Sequence, residues 1–312
     1  MANPFGLARF PAFIVALLGL QVALACFAVF AKEAIEVVPP LTLEGARRLS
    51  AGLLLLAFVG LTGRGWRPTR RDLADAVLPG LLGFGLGRAC VMTALSMTSA
   101  TNVAVIDSSA PAVALVLALL LRLERPRALA IGGSLVAFGG VLGLVLAGGG
   151  LGVPNVGDVL ALGSPLAWGA IYVWMARRAP DPSTLLRRTA WFSLAGAAAL
   201  AGPAVLPGPE VLGLLLDSRV VGVLVLGIGI GLFENALTFR GIAVLGAVAT
   251  AELEYLVPAL TAGIGLVILG TPVLPPQALA MAAVVGGLLV AGRVRHRDSV
   301  GHPLPGQPCC VT

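Results

Sequence analysis

Long uninterrupted runs of apolar residues dominate the chain, and short polar or charged segments separate them. Each run has roughly 17–25 residues, the length that an α-helix needs to cross a bilayer. The runs do not alternate apolar with polar positions, as the strands of a membrane β-barrel do. The pattern predicts an all-α integral membrane protein with ten transmembrane helices, near residues 11–31, 41–62, 73–95, 101–121, 128–148, 156–176, 186–206, 219–239, 246–269 and 276–292.

The second half of the chain repeats the pattern of the first half. An apolar run with one acid four residues before one proline occurs twice, and the matched residues keep a constant separation: Asp107 with Glu254, Pro111 with Pro258, and Gly139-Gly140 with Gly286-Gly287. We therefore predict one five-helix repeat at 1–150 and another at 151–293. Because five is an odd number of spans, the second repeat is inverted, as in many secondary transporters. The polar tail at 294–312 is predicted to be disordered and cytoplasmic.

Composition agrees with a membrane protein, since 58% of the residues are hydrophobic and only 12% are charged. A water-soluble domain carries charge on roughly 25% of its residues. The net charge of +6 comes mostly from arginines in the short loops, where such charges set membrane topology rather than bind nucleic acid. Their distribution predicts a multi-pass protein of a bacterial-type cytoplasmic (inner) membrane with both termini in the cytoplasm. We expect it to act as a monomer or homodimer in the lipid bilayer.

The cysteines and histidines do not suggest a metal centre or a histidine-based catalytic relay. Cys26 and Cys90 lie singly in apolar runs, Cys309-Cys310 stand near the end of the chain, and both histidines fall in the tail. We therefore predict no metal, no cofactor and no enzymatic activity.

Two acids inside the apolar runs are the leading candidates for a functional site, because an ionisable residue within a membrane span is costly to keep. Asp107 and Glu254 each stand four residues before a proline, which removes the backbone hydrogen bond to that fourth residue. Pro111 and Pro258 are therefore predicted to kink their helices and to free a carbonyl beside each carboxylate. Such a site suits a cation, a proton or a substrate amine. The alternative is a structural acid that stays neutral or pairs with an arginine.

Other polar side chains in the spans complete the predicted site. Glu252 is two residues from Glu254, so the two carboxylates cannot share a helix face, and we expect Glu254 to face the cavity. Arg88 could hold a substrate carboxylate or neutralise an acid, and Glu234 could bind substrate or a proton. Four residues are predicted to line the cavity, with capping or core packing as the alternatives: Asn102, Asn235, Trp168 and Tyr172.

Two arginine pairs, Arg47-Arg48 and Arg187-Arg188, occupy matching positions in the two repeats. The inverted arrangement places them on opposite sides of the membrane. For Arg47-Arg48 we expect anchoring at the interface, with gating through Glu33 or Glu36 as the alternative. The glycine-rich stretches GFGLG and GIGIG lack the strand-to-helix context of a nucleotide-binding loop, so they indicate close helix packing.

The order of these features resembles the drug/metabolite transporter superfamily, specifically its EamA-type members with ten helices in two inverted halves. The resemblance covers about residues 11–293 and rests on Ala94-Leu95, Pro111, Glu124-Arg125, Gly157-Asp158 and Arg177-Arg178. The second repeat departs from it, with Gly270-Thr271-Pro272 where the Glu-Arg pair would fall. The resemblance implies a transporter of small metabolites, often an exporter, and does not fix the substrate.

These features favour a secondary transporter that exports small organic molecules, such as amino acids, amines or drugs, by alternating access. Coupling to protons stays open at this point. The inverted repeat also permits an uncoupled facilitator or a lipid flippase. A membrane-embedded enzyme is the most distant alternative, since two acids on different helices could form an aspartyl dyad; peptide cleavage by the purified protein would distinguish it.

The arginine distribution leads to a first prediction, that both termini are cytoplasmic. Topology reporters fused after different residues would measure the side of each loop. We expect an external signal at residues 40, 150 and 272, and an internal signal at residues 68, 180 and the C-terminus. An external signal at the C-terminus would contradict the ten-span topology.

Overall fold

The computed structural model describes residues 10–63, 65–95, 97–123, 128–149, 155–178, 184–200, 213–270 and 273–301. Within these ranges every regular element is helical, so the all-α class is confirmed. The first repeat contributes α1 (Phe10–Ala34), α2 (Pro40–Leu61), α3 (Arg70–Leu95), α4 (Ala100–Asp107), α5 (Ala110–Leu120) and α6 (Ala128–Gly149). The second contributes α7 (Val156–Ala161), α8 (Gly163–Arg177), α9 (Leu185–Leu200), α10 (Ser218–Leu245), α11 (Ala247–Glu252), α12 (Leu256–Leu269) and α13 (Pro275–Gly301).

Eight described segments are long and apolar enough to cross a bilayer, and they lie at eight of the ten predicted positions. The other two positions, 41–62 and 186–206, hold helices α2 and α9. Helix α2 carries Glu44, Arg47 and Arg48 within its 22 residues, and α9 is described over only 16 residues. The remainder of the 186–206 span lies outside the described residues. Eight candidate spans are therefore established, and the ten-helix arrangement stays a prediction.

The fourth span is interrupted next to its proline rather than kinked. Helix α4 ends at Asp107, a turn at Ser108 and Ser109 follows, and α5 begins at Ala110 with Pro111 in its first turn. The two serine hydroxyls donate hydrogen bonds to carbonyls of α4, each at 2.6 Å. A proline in a first helical turn gives up an N–H that has no partner there anyway. The proline therefore starts a new helix instead of bending a continuous one.

The ninth span has the corresponding interruption in the second repeat. A 3₁₀ turn at Leu253–Tyr255 separates α11 from α12, and Pro258 is the third residue of α12. Each proline thus follows a local departure from α-helical geometry, a turn before Pro111 and a 3₁₀ turn before Pro258; the kinks and their role stay predictions. The two breaks lie close together, since the Tyr255 side chain approaches the backbone of Ala112 in the first turn of α5.

Helix α3 departs from regular α-helical geometry in two places. Segments Leu73–Val77 and Leu81–Gly87 are π-helical and flank the α-helical turn Leu78–Gly80. Such π turns are uncommon and are found frequently at functional sites. Arg88 follows directly after the second π segment, so an unusual turn positions this predicted site residue.

Helices α6 and α13, the last helix of each repeat, pack with their backbones in contact. A side chain at Gly140 would lie 2.7 Å from the backbone nitrogen of Val284, and one at Gly287 would lie 2.5 Å from the carbonyl oxygen of Gly133. Small residues allow this approach, which is the main source of attraction between helices in lipid. The repeated glycine pairs recognised in the sequence therefore join the two repeats to each other.

Aromatic rings fill the core between the repeats. Phe84 of α3 packs edge to face against Trp168 of α8 and Phe192 of α9, with ring centroids 5.1 and 5.7 Å apart. Phe192 in turn packs against Phe239 of α10 at 5.3 Å. Trp168 belongs to this cluster, which favours its packing role over the predicted lining of a cavity.

The end of the chain differs from the sequence prediction over a short segment. Helix α13 continues to Gly301, so residues 294–301 are helical rather than disordered. Residues 302–312 lie outside the described residues.

The contact between α6 and α13 yields a second prediction. Gly140→Val should lower the free energy of unfolding by about 1–3 kcal/mol, the usual cost of overpacking, because the new side chain meets the backbone of α13. Gly139→Val is the matched control, since Gly139 has no neighbour within 4 Å. Thermal unfolding in detergent measures both variants, and equal midpoints would contradict the backbone contact.

Candidate functional site

The two acids at the helix breaks are both bonded to helix α8. The hydroxyl of Ser164 donates to Asp107 Oδ1 at 2.5 Å, and the hydroxyl of Tyr172 donates to Glu254 Oε1 in a very short hydrogen bond. Ser164 and Tyr172 are eight residues apart, close to two full turns plus one residue of an α-helix. One helix therefore contacts both matched acids, one from each repeat.

Glu254 and Glu252 have different surroundings although they are two residues apart. Glu254 is exposed to a solvent-sized probe, and Tyr172 is its hydrogen-bond partner among the described residues. Glu252 is only 3% exposed and accepts a hydrogen bond from the Ser134 hydroxyl of α6 at 2.5 Å. Glu254 is therefore exposed, whereas Glu252 is buried between helices; that Glu254 faces a cavity stays a prediction.

Arg88 is half-buried and forms no ion pair within 4 Å with any described residue. It lies near enough to Glu254 and to Glu44 for an attractive coulombic interaction with each carboxylate. Asp107 and Glu234 are also within electrostatic reach of Glu254. The structure thus brings four predicted residues, Arg88, Asp107, Glu234 and Glu254, into one electrostatic neighbourhood.

Glu234 belongs to a buried network of four charged side chains. Arg47 binds Glu44 at 2.7 Å and Glu234 at 3.0 Å, while Arg48 binds Glu44 at 2.6 Å and Glu234 at 3.4 Å. The Arg48 guanidinium also lies 3.6 Å from the centroid of the Phe84 ring. The network links α2 of the first repeat to α10 of the second, with two positive and two negative charges.

This network revises two sequence predictions. Arg47 and Arg48 find their acids at Glu44 and Glu234 rather than at Glu33 or Glu36. Glu234 is already paired with arginines, which makes it a poorer candidate for a substrate or a proton than Glu254.

The two asparagines tie helices together instead of lining the space around Glu254. The Asn102 side-chain amide donates to Asp158 Oδ1 at 3.0 Å, and thereby joins the beginning of α4 to α7. The Asn235 amide donates to the Ser193 hydroxyl at 3.2 Å, between α10 and α9. Both asparagines are buried, so these contacts favour a role in joining helices, and the predicted cavity lining stays a prediction.

Sequence reasoning missed two residues that hold the site, Ser164 and Ser134, each of which bonds an acid. The sequence contained a signal for Ser164, since its spacing from Tyr172 places both near one side of α8. No local pattern marked Ser134. Glu44, which stands with Arg47-Arg48 at the start of α2 and was expected to anchor the helix with them, completes the arginine network. Within the described residues, no group of three or more metal-ligating side chains occurs.

Comparison with known proteins agrees with this architecture of two repeats. The model of the EamA-like transporter family matches the chain twice, at residues 12–146 and 155–293. The chain belongs to the EamA-like transporter family. The resemblance predicted from the sequence is therefore confirmed, and the protein is a membrane transporter of the EamA family.

Two individual proteins are similar to this EamA-family chain. An uncharacterised protein of Pseudomonas aeruginosa is 35% identical over 176 residues, which are 56% of this chain and 59% of that protein. The match thus spans about three fifths of the relative's length. A solved crystal structure superposes with a TM-score of 0.70 at 23% identity, and covers 89% of this chain and 98% of that one. It supports the fold alone.

The four-charge network gives a third prediction. Arg48→Gln should lower the free energy of unfolding by about 3–5 kcal/mol, because it leaves a buried carboxylate without its full compensation. Arg219→Gln is the matched control, since Arg219 and Asp217 form an exposed pair worth roughly 0–1 kcal/mol. Unfolding in detergent measures the difference. A similar loss in both variants would mean that burial of the network contributes nothing to stability.

Proposed function

We propose that this EamA-family protein is a secondary transporter that exports small organic molecules across the cytoplasmic (inner) membrane by alternating access. Glu254 carries the proposal. This residue is exposed, it stands inside a candidate span at a turn between two helical segments, and its carboxyl is bound by the Tyr172 hydroxyl rather than by an arginine. A costly acid kept in such a position within a membrane is a functional residue by default.

The charges around Glu254 favour a substrate with a cationic group. Arg47 and Arg48 are neutralised by their own acids, so they do not compete for Glu254. Asp107, also bound by a hydroxyl, supplies a second carboxylate in the same neighbourhood. Arg88 lies within electrostatic reach and lacks an ion-pair partner among the described residues, so it can receive an anionic group of the substrate. Amino acids, amines and cationic drugs fit this arrangement.

The interrupted helices support a binding site between the two repeats. In transporters built from inverted repeats, substrates bind near the middle of the membrane where broken helices meet. The turns at Asp107 and at Leu253–Tyr255, one in each repeat, would be these interruptions, and the contact of α8 with both acids supports this assignment. We propose that ten transmembrane helices form two inverted five-helix repeats around this site, with both termini in the cytoplasm and one or two copies of the chain per transporter.

Proton coupling is the finer part of the proposal. Transport against a gradient without nucleotide hydrolysis needs a second, downhill flux, and a proton is the simplest one. Its carrier must lose and regain a proton inside the membrane, which arginine does not do. Glu254 and Asp107 are the carboxyls that stand free of arginine pairs in the described part of this site. A substrate cation and a proton would then compete for the same carboxylate, which produces antiport.

The fourth prediction tests this coupling. A thermal-shift screen of the detergent-purified protein against amino acids, amines, sugars and drugs first identifies a ligand, since binding raises apparent stability. Flux of that ligand into proteoliposomes is then measured with and without an imposed pH gradient. We expect the gradient to drive flux in the unaltered protein, Glu254→Gln to abolish that dependence, and Asp107→Asn to weaken it.

Glu36→Gln is the control for this experiment, because Glu36 is an exposed acid between α1 and α2. It should leave gradient-driven flux unchanged. If flux through the unaltered protein does not depend on the pH gradient, the protein is a facilitator and not an antiporter. Gradient-driven flux that survives Glu254→Gln would transfer the role to Glu252 or Glu234. Movement of labelled lipid in place of soluble ligands would favour a flippase.

A further inference from the structure

The two arginine pairs predicted from the repeat both bind acids of the opposite repeat. Arg47-Arg48 of α2 reach Glu234 of α10, and Arg187-Arg188 at the start of α9 reach Asp72 and Asp75 of α3. Helices α2 and α9 run antiparallel along each other, so their first turns lie at opposite ends of the protein.

The antiparallel arrangement follows from contacts along the two helices. A side chain at Gly45 would meet Leu200, near the end of α9, and one at Gly52 would meet Leu194, which lies earlier in α9. Each arginine pair therefore connects the two repeats at a different end of their interface.

The connection at the start of α9 is dense, and its side chains are largely buried apart from that of Arg178. Arg187 Nε binds Asp72 Oδ2 at 2.9 Å, and Arg188 Nε binds Asp72 Oδ1 at 3.2 Å. Arg188 also reaches Asp75 at 3.3 Å, and Arg178 at the end of α8 binds Asp75 at 2.9 Å. The Asp72 side chain is completely buried beneath the arginines.

Behind these ion pairs, α3 and α9 are in direct contact. A side chain at Gly80 would lie 2.6 Å from the carbonyl oxygen of Phe192, and one at Gly196 would lie 2.5 Å from the ring of Phe84. Thr189, the residue after Arg188, is completely buried, and its hydroxyl has no hydrogen-bond partner among the described residues. The ion pairs therefore close one end of the interface between the repeats.

We propose that the ion pairs of Asp72 and Asp75 with Arg178, Arg187 and Arg188 form a latch between the repeats, and that this latch opens and closes during transport. The proposal rests on the proposed function, because alternating access requires one end of the interface to separate. On the predicted topology the latch lies at the cytoplasmic end.

When the latch opens, neither the acids of α3 nor the arginines of α9 are left buried without a partner. Asp72 keeps two hydrogen bonds within its own helix, from the Thr69 backbone and from the Thr69 hydroxyl, both at 2.8 Å. Arg187 and Arg188 stand in the first turn of α9, where water reaches them once α3 moves away. Asp75 lies in the π-helical segment Leu73–Val77, a geometry associated with mobile or functional turns.

The pair at the other end of the interface is built differently. Arg47 and Arg48 are bound by Glu44 of their own helix, at 2.7 and 2.6 Å. The matching position in α9 is Thr184, just before its first turn, so Arg187 and Arg188 have no such acid of their own. The acids that pair with Arg187 and Arg188 belong to α3, so these arginines gain their ion pairs only when the latch is closed.

The fifth prediction uses a cysteine introduced at the buried position of Thr189, behind the latch, as a reporter of latch opening. In protein whose native cysteines are replaced by serine, Thr189→Cys should react slowly with a charged, membrane-impermeant maleimide. Asp75→Asn, or separately Arg188→Gln, should raise that rate about tenfold or more, equivalent to about 1.4 kcal/mol in the opening equilibrium. The increase should occur from one face of sealed vesicles, because only one end of the interface opens.

Two controls distinguish latch opening from general loosening. Val284→Cys, completely buried between α6 and α13 and remote from the latch, should stay unreactive in every background. Arg219→Gln, which removes an exposed ion pair elsewhere, should leave the Thr189→Cys rate unchanged. Equal Thr189→Cys rates with and without the latch charges, or a parallel rise at Val284→Cys, would overturn the proposal.

The measurement needs no substrate, so it separates the latch from the proposed function. A latch that opens in a protein transporting none of the screened ligands would contradict the transport proposal and keep the latch. Substrate flux combined with unchanged Thr189→Cys labelling rates would support the transport proposal and contradict the latch. If one neutralised variant does not fold, as size-exclusion chromatography would reveal, the other decides the outcome.

Discussion

Charge compensation inside the membrane is the constraint on which this structure depends. A bare carboxylate or guanidinium in a bilayer is expensive, so each one needs a partner or water. The described acids of the spans fall into two groups under this constraint. Glu44, Glu234, Asp72 and Asp75 are bound by arginines, and all except Glu44 are thereby joined to another helix. Asp107, Glu252 and Glu254 are bound by hydroxyl groups of neighbouring helices. The first group contributes mainly to holding helices together, and the second includes the two acids, Asp107 and Glu254, that we propose as ligand-binding residues.

The positions of the accessible acids follow from the repeat. A proline four residues after each acid ends one helical segment and begins the next, so the acid stands beside a break in both halves of the chain. Because α8 lies between the breaks, Ser164 and Tyr172 orient both acids from a single helix. Two halves with different sequences thereby contribute equivalent carboxyls to one region. The glycine contacts between α6 and α13 join the repeats, and Tyr255 of the second break packs against the same two helices.

Periodicity and repetition were enough to predict most of the fold, and the local chemistry was harder. Apolar runs and matched residues predicted the helical class, the repeats and the family. The sequence predicts a kink at Pro111, and it does not state that the two serines before this proline form a turn between two helices. For Asn102 and Asn235, polarity alone cannot distinguish lining of a cavity from a contact between helices. The pairing of Glu234 with Arg47 joins residues that are far apart in sequence, and only the packing of α2 against α10 brings them together.

The difference between hydroxyl-bound and arginine-bound acids bears directly on how a site inside a membrane can release its ligand. A substrate cation that displaced an arginine from a carboxylate would leave that arginine uncompensated, at a cost of about 3–5 kcal/mol for a buried pair. A cation that displaces the Tyr172 hydroxyl from Glu254 gives up a hydrogen bond worth about 1–3 kcal/mol. The hydroxyl can bind the carboxyl again after the ligand leaves, whether the carboxyl is charged or protonated, because it both donates and accepts. An acid that must be occupied and vacated repeatedly is therefore better served by a tyrosine than by an arginine, and Glu254 has the tyrosine.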